Sequence, residues 1–262
     1  MIKAMSTAAT GMVAQQTNID NIANNLANVN TTAFKKSRIE FQDILYQNFR
    51  RAGTPSAIGA TIPVNLDVGY GSRAVATTRQ FTPGSIAITN NATDLSISGN
   101  GFFQVQMPDG TNAYSRDGSF KLSSEGQLVT ADGFRMTPEI TIPQDATDLS
   151  IGIDGQVSVM VVGTEVPQQV GQIELAKFIN PAGLSAVGHN LFIETAASGS
   201  PITSTPGNDG LGGLEQGHLE TSNVSIVDEM VNMIMAQRAY EINSKVIQTS
   251  DDMTQVVNSL KR

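Results

Sequence analysis

The chain reads as an α+β protein, with a long helix at each end and antiparallel β structure between them. Two observations carry this. Near both termini apolar residues step by alternating threes and fours, which suits a helix with a coiled-coil-like seam. Between them the apolar period becomes two, in short runs set off by turn dipeptides at intervals of roughly ten residues.

The first helix rests on Ile2, Met5, Ala9, Met12, Gln16, Ile19, Ala23 and Leu26. Asn18, Asn21, Asn24, Asn25 and Asn28 crowd its second half. Each Asn costs roughly 0.5–0.7 kcal/mol relative to Ala inside a helix, so this segment is marginal alone. It is expected to stop in residues 28–32, where Asn and β-branched residues compete with helix. Residues 38–51 carry Ile39, Phe41, Ile44, Leu45 and Phe49, a pattern open to either a short helix or an extended arm. Residues 52–72 hold four glycines and two prolines but a single charge, Asp67. That is too apolar for a flexible linker. Ile58, Ile62, Val64, Leu66 and Val68 suggest an extended arm that lies on another surface.

From Arg73 onward β-rich runs fall at 74–78, 86–89, 95–98, 102–107, 113–116, 120–122, 128–130, 140–142, 149–153, 157–162, 171–178 and 190–194. Asp117-Gly118, Glu125-Gly126, Asp132-Gly133 and Asp154-Gly155 mark turns between them. The spacing predicts a sandwich or barrel. Residues 198–213 read as a surface loop. The last helix returns with Val231, Met235, Ala239, Ile242, Val246, Thr249, Met253, Val256 and Leu260 on one stripe. We therefore expect residues 1–34 and 216–262 to form one terminal helical domain, 35–72 a connector and arm, and 73–215 a β-rich domain. The two ends either form an intramolecular hairpin or stay loose until copies stack.

Composition narrows the function. The 262 residues contain no Cys, no Trp and only two His, and carry a net charge of −8. This removes thiolate chemistry and Cys-zinc sites, and the acidic balance argues against nucleic-acid binding. Residues 1–51 carry six basic and three acidic side chains, and residues 215–262 four basic and seven acidic. The ends are thus opposite in sign and attract. No apolar run is long enough to span a membrane, and no conventional signal peptide is visible at the start.

No catalytic constellation emerges. Gly69-Tyr70-Gly71 and Gly99-Asn100-Gly101 lack the strand–helix context of a dinucleotide loop, and read as turn or bulge glycines. His189 and His218 have no strand-elbow Ser and read as polar loop residues. We expect no catalytic, cofactor-binding or metal-binding residue. The terminal stripes instead point to self-association, and the sites expected to carry it are Ile2, Met5, Met12, Ile19, Leu26, Val231, Met235, Ala239, Ile242, Val246, Met253, Val256 and Leu260. A binding module on a helical stalk is the alternative from another class; clustered exposed aromatics would support it, but the fourteen aromatics are scattered.

Asn21-Ile22-Ala23-Asn24-Asn25-Leu26-Ala27-Asn28, followed by Thr32, Phe34 and Lys35, resembles the amino-terminal signature of the bacterial flagellar rod and hook family. Glu220, Ser222-Asn223-Val224, Glu229-Met230-Val231, Met233-Ile234 and Gln237-Arg238-Ala239-Tyr240-Glu241 are similar to its carboxy-terminal signature. Gly99, Gly101-Phe102-Phe103, Tyr114, Arg116, Gly118-Ser119-Phe120 and Gly126-Gln127-Leu128-Val129 resemble its β-domain core. One departure is Ala33, where the family commonly has Gly, which counts against a tight glycine turn there.

The resemblance implies a structural subunit, with Asn24, Asn25, Asn28 and Phe34 added to the assembly residues. It implies a helical homopolymer forming a hollow tube, lined by the terminal helices. Length and the 52–72 segment look most like the distal rod members; hook-like and proximal rod subunits are the alternatives. Implied partners are copies of itself, proximal rod proteins, hook protein, P- and L-ring proteins, the rod cap and the flagellar type III export apparatus. The implied location is the basal body, in the rod that crosses the periplasm to the outer membrane, reached without a cleaved signal.

Overall fold

The computed structural model describes residues 2–57, 60–161, 163 and 166–260. The chain is α+β: helix α1 spans Ile2–Ala27, helix α2 spans Ile226–Leu260, and strands fill the sequence between. It divides into two compact units, Met1–Ala27 with Ser37–Thr78 and Ser225–Arg262, and Asn28–Lys36 with Arg79–Val224.

In the first unit α1 and α2 lie antiparallel, with Asn25 meeting Glu229 and Gly11 meeting Asn243. Ser225 caps α2: its carbonyl accepts from the Glu229 N–H at 3.0 Å, and its hydroxyl from the Asp228 N–H at 3.4 Å. Asp228 and Glu229 in the first turn complement the helix dipole. The segment expected to be either helix or arm is extended, as strands Ser37–Asp43 and Tyr46–Arg50. The first pairs with Ser72–Arg79. The second pairs antiparallel with Leu66–Gly69, in the register Tyr46↔Gly69 and Asn48↔Asp67. Gly69 sits close under Tyr46, where a Cβ would stand 3.2 Å from the ring and the ring would have to give way. Residues 46–50 and 66–69 therefore form a two-stranded ribbon rather than a single extended arm.

The second unit is built on strand Phe102–Gln106, whose first four residues are all buried. Alternate side chains of a strand point to opposite faces. Phe103 and Val105 join Leu95, Ile97, Phe120, Leu128, Met136, Val157, Ile173, Leu175 and Leu214 in the main core. Phe102 joins Tyr114, Ala176, Phe178 and Phe192 on the other side, with rings edge to face at 4.8–6.2 Å. Phe102–Gln106 pairs antiparallel with Asn112–Ser115, Arg135–Thr137 and Leu175–Lys177. A separate three-stranded sheet joins Ala146–Ile151, Gln156–Val161 and Gln168–Gln172.

Three expectations change. Residues 140–142 form no strand, and the pairing falls instead on Arg135–Thr137. Ile202–Ser204, within the expected 198–213 loop, pairs with Leu175–Lys177. The unit boundaries also differ from those expected at 34 and 215. Residues 28–36 and 216–224 belong with the β unit, because they bind each other. Ala33 N–H donates to the Glu220 carbonyl at 2.8 Å, and Lys36 N–H to the Asn223 side-chain oxygen at 2.7 Å. The left-handed turn is kept without its glycine: Ala33 has φ 56 and is buried.

Candidate self-assembly surface

Two sets of heptad positions run side by side along α2. The first is Glu229, Ala236, Asn243 and Ser250. Glu229, Ala236 and Ser250 are the buried residues of the helix. Asn243 fills the notch left by Gly11, where a Cβ would stand 3.0 Å from its amide nitrogen. On α1 the buried positions are Ala8, Ala14, Ile22 and Asn25. Apart from Ile22, the buried positions of the two helices are small or polar, which lets the backbones approach.

The second set lies one residue earlier, about 100° around the helix: Met235, Ile242, Thr249 and Val256. Val231, Val246, Met253 and Leu260 complete the apolar stripe. This is the seam expected from sequence, yet the hairpin does not cover it. Met235, Ile242, Met253 and Leu260 are 65%, 64%, 60% and 81% exposed, and only Ala239 of the stripe is half-buried. Seven large apolar residues in one line on a surface helix make a candidate association site. Burying them at about 1.5–3 kcal/mol each is worth roughly 10–21 kcal/mol before ordering costs.

On α1, Met5, Met12, Ile19 and Leu26 are half-buried, as is Asn28; Asn24 is exposed, and the side chain of Ile2 lies outside the described residues. The asparagines do more than weaken the helix. Asn21 and Asn25 both donate to the Ser37 carbonyl at 2.9 Å, and the Ser37 N–H donates to Asn25 Oδ1 at 3.0 Å. They hold Ser37, at the start of its strand, against the helix, and satisfy backbone groups that would otherwise be lost.

The ribbon offers a second apolar surface. Leu45, Tyr46, Phe49, Val64, Leu66 and Val68 are exposed, with Leu45 at 82%. Ile62 is half-buried, and Ile58 lies outside the described residues. A two-stranded ribbon is marginal in water unless it packs on something.

The β unit holds a charged cluster that the pattern reading assigned no role. Glu220 sits between two buried cations. Lys35 Nζ donates to its Oε1 at 2.5 Å, and the Arg116 guanidinium to its Oε2 at 2.9 and 3.0 Å. Gly84 N–H adds a bond at 2.9 Å. Arg116 also donates to the Gly99 and Gly101 carbonyls at 2.7 and 2.8 Å, and Lys35 to the Thr82 carbonyl at 2.9 Å. Burial pushes the Lys35 ammonium below its ordinary range, against the pull of Glu220, and lowers Arg116 for the same reason. The cluster ties residues 33–36, 80–84, 99–101 and 220–223 together. Phe34, half-buried, lies within the same tied segment, its carbonyl accepting from the Asn223 N–H at 3.4 Å. The legible signal is charge in an apolar setting: Arg116 directly follows the buried strand Asn112–Ser115, and a buried charge requires a partner.

Gly71, Gly99 and Gly101 have positive φ, as turn and bulge glycines do. His189 lies 3.1 Å from Asp132, both exposed. Among the described residues no helix is long and apolar enough to cross a membrane.

The terminal helices leave an apolar stripe of α2 exposed, which makes it a candidate association surface. The models that match the chain are those of the flagellar axial proteins: the flagella basal body rod protein model over residues 5–35, the flagellar hook protein FlgE/F/G D1 domain over 96–159, and the flagellar basal body rod FlgEFG protein C-terminal domain over 215–260. Full-length similarity narrows this. The chain is 54% identical over 264 residues to the flagellar basal-body rod protein FlgG of Borreliella burgdorferi, covering all of both chains. It is 48% identical to that of Caulobacter vibrioides, over 99% of this chain and all of the relative. With that of Bacillus subtilis it shares 41% identity over the whole of both. The chain belongs to the flagellar basal-body rod protein family.

Proposed function

We propose that this chain is the structural subunit of the distal rod, stacking helically into a stiff hollow shaft that transmits torque from the motor to the hook. The observation that carries this is the exposed stripe of α2, which the hairpin leaves for another copy. The ribbon of residues 46–50 and 66–69, with Leu45 leading into it, supplies the second contact, packing Leu45, Phe49 and Leu66 between neighbours. In this reading Met5, Met12, Ile19 and Leu26 complete the inner layer. Proximal rod proteins lie below, the hook protein above, and the P- and L-rings around; a rod cap and the type III export apparatus deliver and place each copy. The role is mechanical rather than catalytic.

Electron microscopy of basal bodies from cells lacking the gene tests the assignment. A rod that stops short, with no hook, is the expected result. A complete rod lacking only the hook would move the subunit to the hook, and intact flagella would overturn the assembly reading.

A further inference from the structure

The hairpin arrangement is not the one hydrophobic burial alone selects. Turning α2 by one residue, about 100°, would replace Ala236, Asn243 and Ser250 at the seam by Met235, Ile242 and Thr249. That would bury more apolar surface against α1. The chain instead buries a carboxylate, Glu229, and an amide, Asn25, at one end of the seam. Asn25 Nδ2 donates to Glu229 Oε2 at 3.2 Å and to the Ser37 carbonyl at 2.9 Å. Its Oδ1 accepts from the Ser37 N–H at 3.0 Å and the Ser37 hydroxyl at 3.2 Å. That hydroxyl has one proton, shared with Asn21 Oδ1, which is the nearer acceptor at 2.5 Å.

We infer that the buried Glu229–Asn25–Ser37 network is a rotational lock: it fixes which face of α2 meets α1 and so keeps the Met235–Ile242–Val256 stripe turned outward for a second copy. The inference rests on the assembly reading for its purpose but not for its geometry. A carboxylate taken out of water must keep its hydrogen-bond partner. Asn25 is itself pinned to the Ser37 backbone, which fixes where its amide meets Glu229. Rotating α2 would carry Glu229 away from Asn25 and present Asp228 in its stead. A single buried polar contact choosing among apolar alternatives is how coiled coils set register. At the middle of the seam, the Gly11 notch that receives Asn243 acts in the same sense.

The absence of native cysteine makes the lock directly testable. Two double variants are oxidised as dilute isolated chain: Gly11→Cys with Asn243→Cys, and Gly11→Cys with Ile242→Cys. Each is made with Glu229 intact, with Glu229→Gln and with Glu229→Leu, and intramolecular cross-links are resolved from dimers by gel mobility. With Glu229 or the Gln variant, which keeps an acceptor for Asn25, the Asn243 pair should close and the Ile242 pair should not. With Glu229→Leu the preference should reverse. An unchanged preference for the Asn243 pair in the Leu variant would overturn the lock. Loss of both cross-links would also overturn it, since Glu229 would then hold the helices together rather than choose their facing sides. Because the cross-links are read on isolated chain, either negative result leaves the assembly reading standing.

Discussion

Replacing Glu220 by Ala removes the only side-chain carboxylate bonded to Lys35 and Arg116 among the described residues, and both cations are almost wholly buried. Breaking a buried pair by deleting one partner costs about 3–5 kcal/mol, because the remaining charge has lost its compensation. Two cations are stranded here, though burial already lowers the proton affinity of Lys35. Arg116 retains the Gly99 and Gly101 carbonyls. We therefore expect a loss near 3–4 kcal/mol. For a unit of about 150 residues each kcal/mol moves the melting point by roughly 2–4 °C, so Tm of the β unit should fall by about 6–16 °C. Thermal unfolding followed by far-ultraviolet circular dichroism and calorimetry reads this. Glu220→Gln, which preserves shape and an acceptor for Gly84, should lie between the two. A Tm change under about 2 °C for Glu220→Ala would show that the cluster contributes little, and would refute the reasoning.

Other consequences follow from the same structure. Ile242→Asp changes an exposed position, so the isolated chain should keep its stability within about 0.5 kcal/mol while polymerisation is abolished; a variant that still builds rods would place the seam on another face. Gly118→Ala puts a methyl 1.7 Å from the Leu95 carbonyl and should destabilise the β unit by about 1–3 kcal/mol in urea titration. Leu45→Ser with Phe49→Ser should leave the chain folded and alter rod stiffness or length in micrographs; unchanged rods would reduce the ribbon to a surface loop. Lys35 loses its proton earlier in the folded than in the unfolded chain, whose ordinary value is 10.5. In the window below that value the unfolded chain binds more protons, so the Lys35 contribution to stability should rise with pH there. The difference in urea midpoint between the wild-type chain and Lys35→Met should therefore grow in favour of wild type as pH climbs toward 10.5.

The sequence made the helices, the β middle and the apolar stripe of α2 legible because each rests on a local period. It was silent on which stripe meets which. Periodicity finds apolar lines, and the intramolecular seam here is drawn with Glu229, Ala236, Asn243 and Ser250, whose seven-residue spacing shows only once small and polar residues are counted as seam formers. Helix propensity sees in the asparagines of α1 only their intrinsic cost. Asn21 and Asn25 stand there for Ser37, a residue in a different element. The unit boundaries were misplaced for a related reason. Residues 28–36 look like a connector in isolation, and become part of the β unit through Glu220 and Asn223, nearly two hundred residues away. Ala33 shows the limit of reading a turn from its expected glycine, since contacts on both sides hold the left-handed conformation in place.

The claim at the centre is that the outward stripe of α2 is buried between copies, and methionine footprinting reads it most directly. Met235 and Met253 are exposed on the isolated chain, while Met136 in the β core is buried and serves as the internal reference. Peroxide oxidation, quantified by mass spectrometry, is compared between the isolated subunit and purified rods. The expected result is rapid oxidation of Met235 and Met253 in the subunit and protection of both in the rod, with Met136 slow in each. Equal oxidation of Met235 and Met253 in subunit and rod would contradict it, and would mean that the stripe faces solvent in the assembly.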